Sequence, residues 1–142
     1  PNFKTLKAHT SLDNNITILK LFPGISPESV AAQLSVEGLK AVILETYGAG
    51  NAMTDEWFLR QISEVVGKEI IVLNVTQCKA GSVEIGKYHT SQELGNIGVI
   101  SGRDITTESA VAKLMYLFGA GLSIKEIETL LQVSLRGEIT VI

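Results

Sequence analysis

The chain has 142 residues, a formal net charge of −3 and a single cysteine, and 45% of its residues are hydrophobic. This length and composition predict one globular domain with a sizeable core and exclude a disordered chain. The slightly acidic balance gives no electrostatic footprint for nucleic acid or an anionic membrane, and the lone cysteine excludes an internal disulfide and fits a reducing cytoplasm.

The first segment of the chain, residues 1–15, is mixed and polar and shows no sustained hydrophobic period. It lacks the apolar core of a signal peptide, and no apolar run elsewhere is long enough to cross a bilayer. We interpret this segment as a linker that could end in a short edge strand. Because the chain begins with Pro1 rather than a methionine, we expect it to be a processed or excised piece of a longer protein.

Four apolar runs predict the strands of the domain. The second and third runs are apolar almost throughout, which is typical of strands buried on both faces of a parallel sheet. The predicted strands cover residues 16–22, 41–44, 70–75 and 99–100.

Hydroxyl side chains that can cap a helix N-terminus stand before four apolar patterns with helical spacing. These predicted caps are Ser26, Thr54, Thr106 or Thr107, and Ser123. Glu126 follows Ser123 at the spacing of a capping box. Residues 86–95 are interpreted as a loop or as a short helix over 91–94, and residues 135–142 as a tail.

Strands and helices therefore alternate along the chain, which predicts a single three-layer α/β domain of flavodoxin-like type. We expect its sheet to have four mainly parallel strands, with right-handed crossovers and helices on both faces. Ligands of open α/β sheets bind at the carboxyl ends of the strands.

The turn after the second strand is the first candidate site at such a strand end. Gly48 and Gly50 allow a tight turn, and Asn51 follows them with a short polar side chain. The turn superficially resembles a dinucleotide-binding fingerprint, but Met53 stands where that motif has its third glycine. Tight packing between strand and helix is the other interpretation of the two glycines.

Other polar residues near strand ends have alternative interpretations as well. Cys78 could act as a nucleophile with His89, or be a small buried residue beside a solvated loop histidine. Arg103 and Asp104 could pair with each other, or Asp104 could cap the next helix. Glu45 could line a cleft or lie on the surface. No group of residues forms a convincing nucleophile–base arrangement.

Seven short motifs, taken together and in order, resemble the C-terminal domain of cytoplasmic (type I) L-asparaginases. They are Tyr-Gly-Ala-Gly-Asn-Ala at 47–52, Thr-Gln-Cys at 76–78 with Gly-Ser-Val at 81–83, and five motifs within 22–26, 98–102, 104–108, 113–116 and 135–140. Each motif is weak singly, but seven in order are specific. The resemblance covers about residues 16–140. It implies that residues 16–142 are an asparaginase C-terminal domain and that residues 1–15 are a linker from a missing N-terminal domain.

The resemblance also implies an activity that this chain does not carry alone. Members of the family hydrolyse L-asparagine to L-aspartate and ammonia without a metal or an organic cofactor, using a threonine nucleophile on the N-terminal domain. No motif of that domain occurs here, so the resemblance implies no catalytic residue in this chain. The family forms homodimers that usually pair into tetramers, and Asn51 matches the asparagine that approaches the active site of the neighbouring subunit.

Some cytoplasmic members bind effector asparagine at a second site, to which the resemblance extends in part. Asn51, Thr76 and Cys78 match that site, whereas Glu45 stands where regulated members can have an arginine. A glutamate repels the carboxylate that an arginine would clamp, so we do not expect this kind of control. The alternative to an asparaginase domain is a free-standing small-molecule-binding domain without catalysis.

Overall fold

A four-stranded parallel sheet forms the centre of the fold in the computed structural model, which describes residues 8–78, 81–83 and 89–140, except the side chains of 89–91. The strands lie side by side in chain order, as β1 (Ile16–Lys20), β2 (Ala41–Thr46), β3 (Ile71–Thr76) and β4 (Ile100–Ser101). The pairings β1–β2, β2–β3 and β3–β4 are all parallel, and β2 pairs with β3 along its whole length. The predicted parallel sheet is therefore confirmed.

Helices cover both faces of this sheet. They are α1 (Pro27–Leu34), α2 (Glu56–Gly67), α3 (His89–Ile97), α4 (Thr107–Gly119) and α5 (Ile124–Leu131). The first three helices connect consecutive neighbouring strands, and crossovers of one hand bring them to the same face. The last two follow β4 and pack against the opposite face. The three-layer α/β architecture is confirmed.

The central strand β2 explains why the sheet is buried on both sides. Val42 and Leu44 belong to the apolar cluster under α1, α2 and α3, whereas Ala41 and Ile43 belong to the cluster under α4 and α5. All four side chains are fully buried. This is the alternation of faces that a strand imposes on successive residues, and it accounts for the uninterrupted apolar run in the sequence.

The predicted helix starts are largely confirmed. Ser26 accepts a hydrogen bond from the backbone N–H of Ser29, and Ser123 and Glu126 form the expected capping box. Thr106 caps α4, and Thr107 is the first residue of that helix.

Two of the helix predictions need correction. Asp55, not Thr54, is the N-cap residue of α2, and it makes no side-chain cap bond. The helix predicted over 91–94 is longer, because α3 runs from His89 to Ile97. None of the helices in the described ranges is long and apolar enough to span a membrane.

The C-terminal segment, residues 133–140, is part of the packed domain rather than a loose tail. Ile139 is buried in the cluster under α4 and α5. The buried ammonium of Lys113 forms an ion pair with Glu138 at 2.7 Å and donates a hydrogen bond to the carbonyl of Val133 at 2.6 Å. The segment therefore adds both an apolar side chain and a buried ion pair to the face formed by α4.

Residues 8–15 also pack on α4, although they form no helix or strand. The backbone N–H of Asp13 donates to the carbonyl of Met115 at 3.0 Å, and its carboxylate pairs with Lys40. Gly119 permits this approach, because a Cβ at that position would lie 2.2 Å from the carbonyl oxygen of Ser11. The interpretation of residues 1–15 as a linker stays a prediction.

Candidate functional site

Three buried polar residues mark the carboxyl ends of β2, β3 and β4. Thr46, Asn74 and Ser101 are 0%, 3% and 7% exposed. A buried polar group is costly unless it is hydrogen-bonded, so each of these side chains needs a partner inside the fold. Thr46 bonds to Asn74 on the neighbouring strand, and Asn74 and Ser101 bond to carbonyls of loops at this edge of the sheet.

The loop of residues 47–51, here called the Asn51 loop, is closed by its own backbone. The N–H of Tyr47 donates to the carbonyl of Asn51 at 2.8 Å, and the N–H of Asn51 donates to the carbonyl of Tyr47 at 2.8 Å. Gly48 and Gly50 take φ angles of +47° and +100°, which favour glycine. The two residues that close the loop form an isolated antiparallel bridge, and Asn51 is half-buried.

A chain of side-chain hydrogen bonds holds the Asn51 loop against β3. The hydroxyl of Thr46 donates to Oδ1 of Asn74 at 2.6 Å, and Nδ2 of Asn74 donates to the carbonyl of Gly50 at 3.2 Å. The hydroxyl of Thr76 donates to the carbonyl of Gly48. Two carbonyls of the loop are thus fixed by side chains that project from one face of the neighbouring strand.

Cys78 lies on the neighbouring loop, residues 76–83, of which 79 and 80 are not described. Its thiol is exposed, and its backbone N–H donates to the hydroxyl of Thr76 at 3.0 Å. The single proton of the Thr76 hydroxyl is already donated to Gly48, so toward a ligand this hydroxyl can only accept. One interpretation of the sequence pairs Cys78 with His89, but the side chain of His89 is outside the part of the chain that the structure describes.

The same loop returns to touch the Asn51 loop at Val83. The hydroxyl of Ser101 donates to the carbonyl of Val83 at 3.0 Å, which fixes the end of the loop to β4. A Cβ on Gly50 would lie only 2.7 Å from Cγ1 of Val83. The Asn51 loop and the loop carrying Cys78 are therefore in direct contact, so the structure brings Asn51, Thr76 and Cys78 to one region.

Glu45 lies on the other face of the sheet. Successive side chains of a strand point to opposite faces, and the carboxylate of Glu45 accepts a hydrogen bond from the hydroxyl of Thr107 at 2.6 Å. Thr107 begins α4, and the ammonium of Lys20 lies 3.7 Å from the same carboxylate. The side chain is only 13% exposed. The structure thus separates Glu45 from the side chains of Thr46, Asn74 and Thr76.

Asp104 has a structural partner that neither interpretation of the sequence anticipated. It does not cap α4, because Thr106 does. Its carboxylate accepts hydrogen bonds from the hydroxyl and the backbone N–H of Thr140, and these bonds hold the pKa of Asp104 below its usual range. Asp104 therefore fastens the C-terminal segment to the start of α4.

Two cavities lie on the described surface near these features. One, of about 450 Å³, adjoins the Asn51 loop and is lined in part by Tyr47, Met53, Asp55 and Trp57. The other, of about 370 Å³, lies between α4 and the C-terminal segment. Among the described residues, no cluster of three or more histidine, cysteine or acidic side chains could hold a metal ion.

Thr46 and Asn74 are site residues that no motif in the sequence identified. Both interrupt or end an apolar run at a strand terminus, and that is the signal by which they could have been found. Their partnership depends on the register of β2 and β3, in which Thr46 lies opposite Thr76 and Leu44 opposite Asn74.

Comparison with known proteins gives the same assignment as the motifs. Residues 15–131 match the family described as "Glutaminase/Asparaginase C-terminal domain". The chain is 38% identical to L-asparaginase 1 of Escherichia coli over 135 residues, which is 95% of this chain and 40% of that protein. It is also 38% identical to the 60 kDa lysophospholipase of Homo sapiens over 136 residues, 23% of that protein.

Solved structures agree with the fold. L-asparaginase I from Vibrio cholerae matches with a TM-score of 0.85 and 40% identity, over 92% of this chain and 39% of that one. The L-asparaginase from Thermococcus kodakarensis matches with a TM-score of 0.83 and 32% identity, over 92% and 39%. The chain thus spans about 40% or less of the length of these relatives. The predicted resemblance is confirmed, and the chain belongs to the glutaminase/asparaginase C-terminal domain family.

Proposed function

We propose that this chain is the C-terminal part of an L-asparaginase that hydrolyses the side-chain amide of L-asparagine to L-aspartate and ammonia. Water is the second substrate, and no metal or organic cofactor takes part. The chemistry belongs to a threonine nucleophile on an N-terminal domain. The role of this chain is to support that domain and the oligomer, and to supply one polar side chain to the active site.

Asn51 is the residue proposed for that contribution, and it acts on the active site of a neighbouring subunit. The observation that carries the proposal is that the Asn51 loop lies at the carboxyl edge of the sheet and is tied down at two carbonyls, those of Gly48 and Gly50. A carboxamide both donates and accepts hydrogen bonds, which suits an amino-acid substrate and the polar groups around it. A fixed loop presents such a group without the entropy cost of ordering it.

Asn51, Thr76 and Cys78 are the proposed contacts of an effector asparagine. The hydroxyl of Thr76 can accept a hydrogen bond from an ammonium group but has no proton left to offer a carboxylate. Glu45 does not supply the missing cation, because it is itself an acid that pairs with Lys20 and Thr107. We therefore expect no cooperative activation by asparagine.

The full-length protein is proposed to be a cytoplasmic homodimer or tetramer. An active site shared between subunits requires at least a dimer, and closed symmetric assemblies are the usual solution. The single, exposed cysteine fits a reducing compartment.

An alternative is a free-standing domain that binds a small molecule without catalysis. The cavity of about 450 Å³ beside the Asn51 loop supports this alternative, because its size is that of a small-ligand site. The two functions differ in what precedes Pro1 in the gene. An upstream domain with threonine-centred motifs supports the asparaginase, whereas a start codon at this point contradicts it.

Ammonia release from L-asparagine tests the proposal directly. We expect turnover by the full-length protein and none by this chain alone, because the described residues offer no nucleophile beside a base. Turnover by the purified chain at the rate of an ordinary enzyme would overturn the division of labour. Absence of turnover in a folded, oligomeric full-length protein would overturn the asparaginase assignment.

A further inference from the structure

We infer that Asn74, which does not approach the substrate itself, is a positioning residue that sets the place of Asn51. This inference rests on the proposed function, because it concerns how the C-terminal domain presents its one contribution to the active site. It starts from the geometry of the buried Asn74 amide and the loop that this amide holds.

The Asn74 side chain is 3% exposed, and both ends of its amide are used. The carbonyl of Gly50 can only accept, so the amide nitrogen must face it, and the structure has Nδ2 at 3.2 Å from that oxygen. This orientation leaves Oδ1 toward Thr46, whose hydroxyl donates to it at 2.6 Å. Thr46 therefore fixes the rotamer of Asn74, and Asn74 fixes the carbonyl immediately before Asn51.

The Asn51 loop cannot easily take another position while this bond exists. Its Tyr47–Asn51 closure makes it a small rigid unit, and Gly50 sits against Val83 with no room for even a Cβ. Releasing the carbonyl of Gly50 leaves it buried without its partner, and the loop is then free to move to regain one. A shift of about 1 Å in a group that contacts substrate is enough to slow a reaction roughly a hundredfold.

The chain offers a matched control for loss of the amide. Nε2 of Gln61 on α2 donates to the carbonyl of Pro27 at 3.3 Å, so it also joins a side-chain amide to a backbone carbonyl. That bond connects α2 to the start of α1 and does not involve the Asn51 loop. Gln61→Ala therefore reports the effect of losing such a bond elsewhere in the domain.

The test is a double-mutant cycle in the full-length enzyme, with kcat/KM for L-asparagine as the readout. We expect Asn74→Ala to lower kcat/KM by about tenfold to a hundredfold in the wild-type background and by less than about threefold in the Asn51→Ala background. Gln61→Ala should leave kcat/KM unchanged in both. A merely structural role for Asn74 would instead lower activity by the same factor in both backgrounds, and that result would overturn the inference.

Thr46→Val provides a second variant if Asn74→Ala does not fold. It keeps the shape of the side chain and the amide of Asn74 but removes the hydroxyl that orients the amide, so we expect a smaller loss that also disappears in the Asn51→Ala background. The cycle gives a different result for failure of the proposed function, of the Asn51 assignment and of the positioning role of Asn74. No activity in the wild type contradicts the proposed function, and an active wild type unaffected by Asn51→Ala contradicts the assignment of Asn51. An effect of Asn51→Ala with additive effects of both other variants contradicts the positioning role of Asn74.

Discussion

At the scale of single residues, the contacts at the sheet edge assign a different task to each polar side chain. Thr46 and Asn74 hold the Asn51 loop, Thr76 joins that loop to Cys78, and Glu45 is engaged on the opposite face. The motifs identified which loops matter, but they did not separate the residues that hold a loop from those that the loop presents. That distinction needs the register of the strands and the direction of each side chain.

The structure leaves no room for a side chain at Gly50. This glycine has a φ of +100°, and a Cβ would meet Val83 at 2.7 Å, so Gly50→Ala should lower the free energy of unfolding by about 1–3 kcal/mol. Gly67 at the end of α2 is the control, because a Cβ there meets nothing within 4 Å. Urea denaturation of both variants checks this prediction. Equal free energies of unfolding for the two variants would show that the Asn51 loop accommodates the added methyl group without strain.

The presence of an acid at Glu45 predicts that asparagine does not activate the full-length enzyme cooperatively. The carboxylate of Glu45 is occupied by Thr107 and Lys20 and gives an effector carboxylate no cation to bind. The asparagine saturation curve of the full-length enzyme should therefore be hyperbolic. A clearly sigmoidal curve that Cys78→Ala makes hyperbolic would contradict this prediction, because asparagine would then activate the enzyme without a cation at this position.

At the scale of elements, the sequence predicted the strands and most helices because their signals are local. Continuous apolar runs identified strands buried on both faces, and Ser26 and Ser123 identified helix starts. The C-terminal segment could not be predicted in this way. Its attachment depends on Lys113 meeting Glu138 across a long stretch of chain, and no local period reports such a contact.

The ion pair of Glu138 should make stability depend on pH. Burial acts to raise the pKa of Glu138, but hydrogen bonds to its carboxylate outweigh that effect and lower the pKa from 4.5 to about 2. The donors are the N–H groups of Leu135 and Arg136 and the ammonium of Lys113. The folded state therefore binds the proton less readily than the unfolded state, and this contribution is present above about pH 4.5 and is lost as the pH falls toward about 2.

Urea titrations of this chain and of Glu138→Gln measure that contribution. Both should unfold cooperatively, because the domain has its own apolar clusters on the two faces of the sheet. The free energy of unfolding of the wild type should fall more steeply than that of Glu138→Gln between about pH 4.5 and about pH 2. Other lowered carboxyls, such as Asp104, act in the same direction in both proteins, so the difference isolates Glu138. Parallel pH profiles would show that the pair adds no pH-dependent stability.

At the scale of the whole molecule, the domain is a scaffold that carries two adjoining loops on one edge of a parallel sheet. The four described strands lie in chain order, so their order contains no reversal of the kind that forms the crevice of doubly wound sheets. Further groups for a site at this edge must therefore come from another domain or subunit, which agrees with the proposed active site between subunits. Composition and periodicity led only to an α/β domain with a site at the strand ends, and the family followed from motifs whose order along the chain is specific.

Asn51 is proposed to act across subunits, so its removal should affect catalysis rather than folding. Asn51→Ala in the full-length enzyme should lower kcat/KM. The loss should correspond to roughly 1–3 kcal/mol of transition-state stabilisation, as for one lost hydrogen bond to a charged group. Its thermal unfolding should be close to that of the wild type. A large loss of stability with unchanged kcat/KM would assign Asn51 to the turn alone.

Mixing two inactive or weakened variants shows whether Asn51 acts on the active site of the neighbouring subunit. One carries Asn51→Ala, and the other lacks the threonine nucleophile of the N-terminal domain. After subunit exchange has been verified with differently tagged subunits, hybrid dimers hold one site with both an intact threonine and an intact Asn51. An equal mixture should regain about a quarter of the wild-type activity, since half of the dimers are hybrids with one such site. If the subunits exchange and no activity returns, Asn51 does not act across the interface.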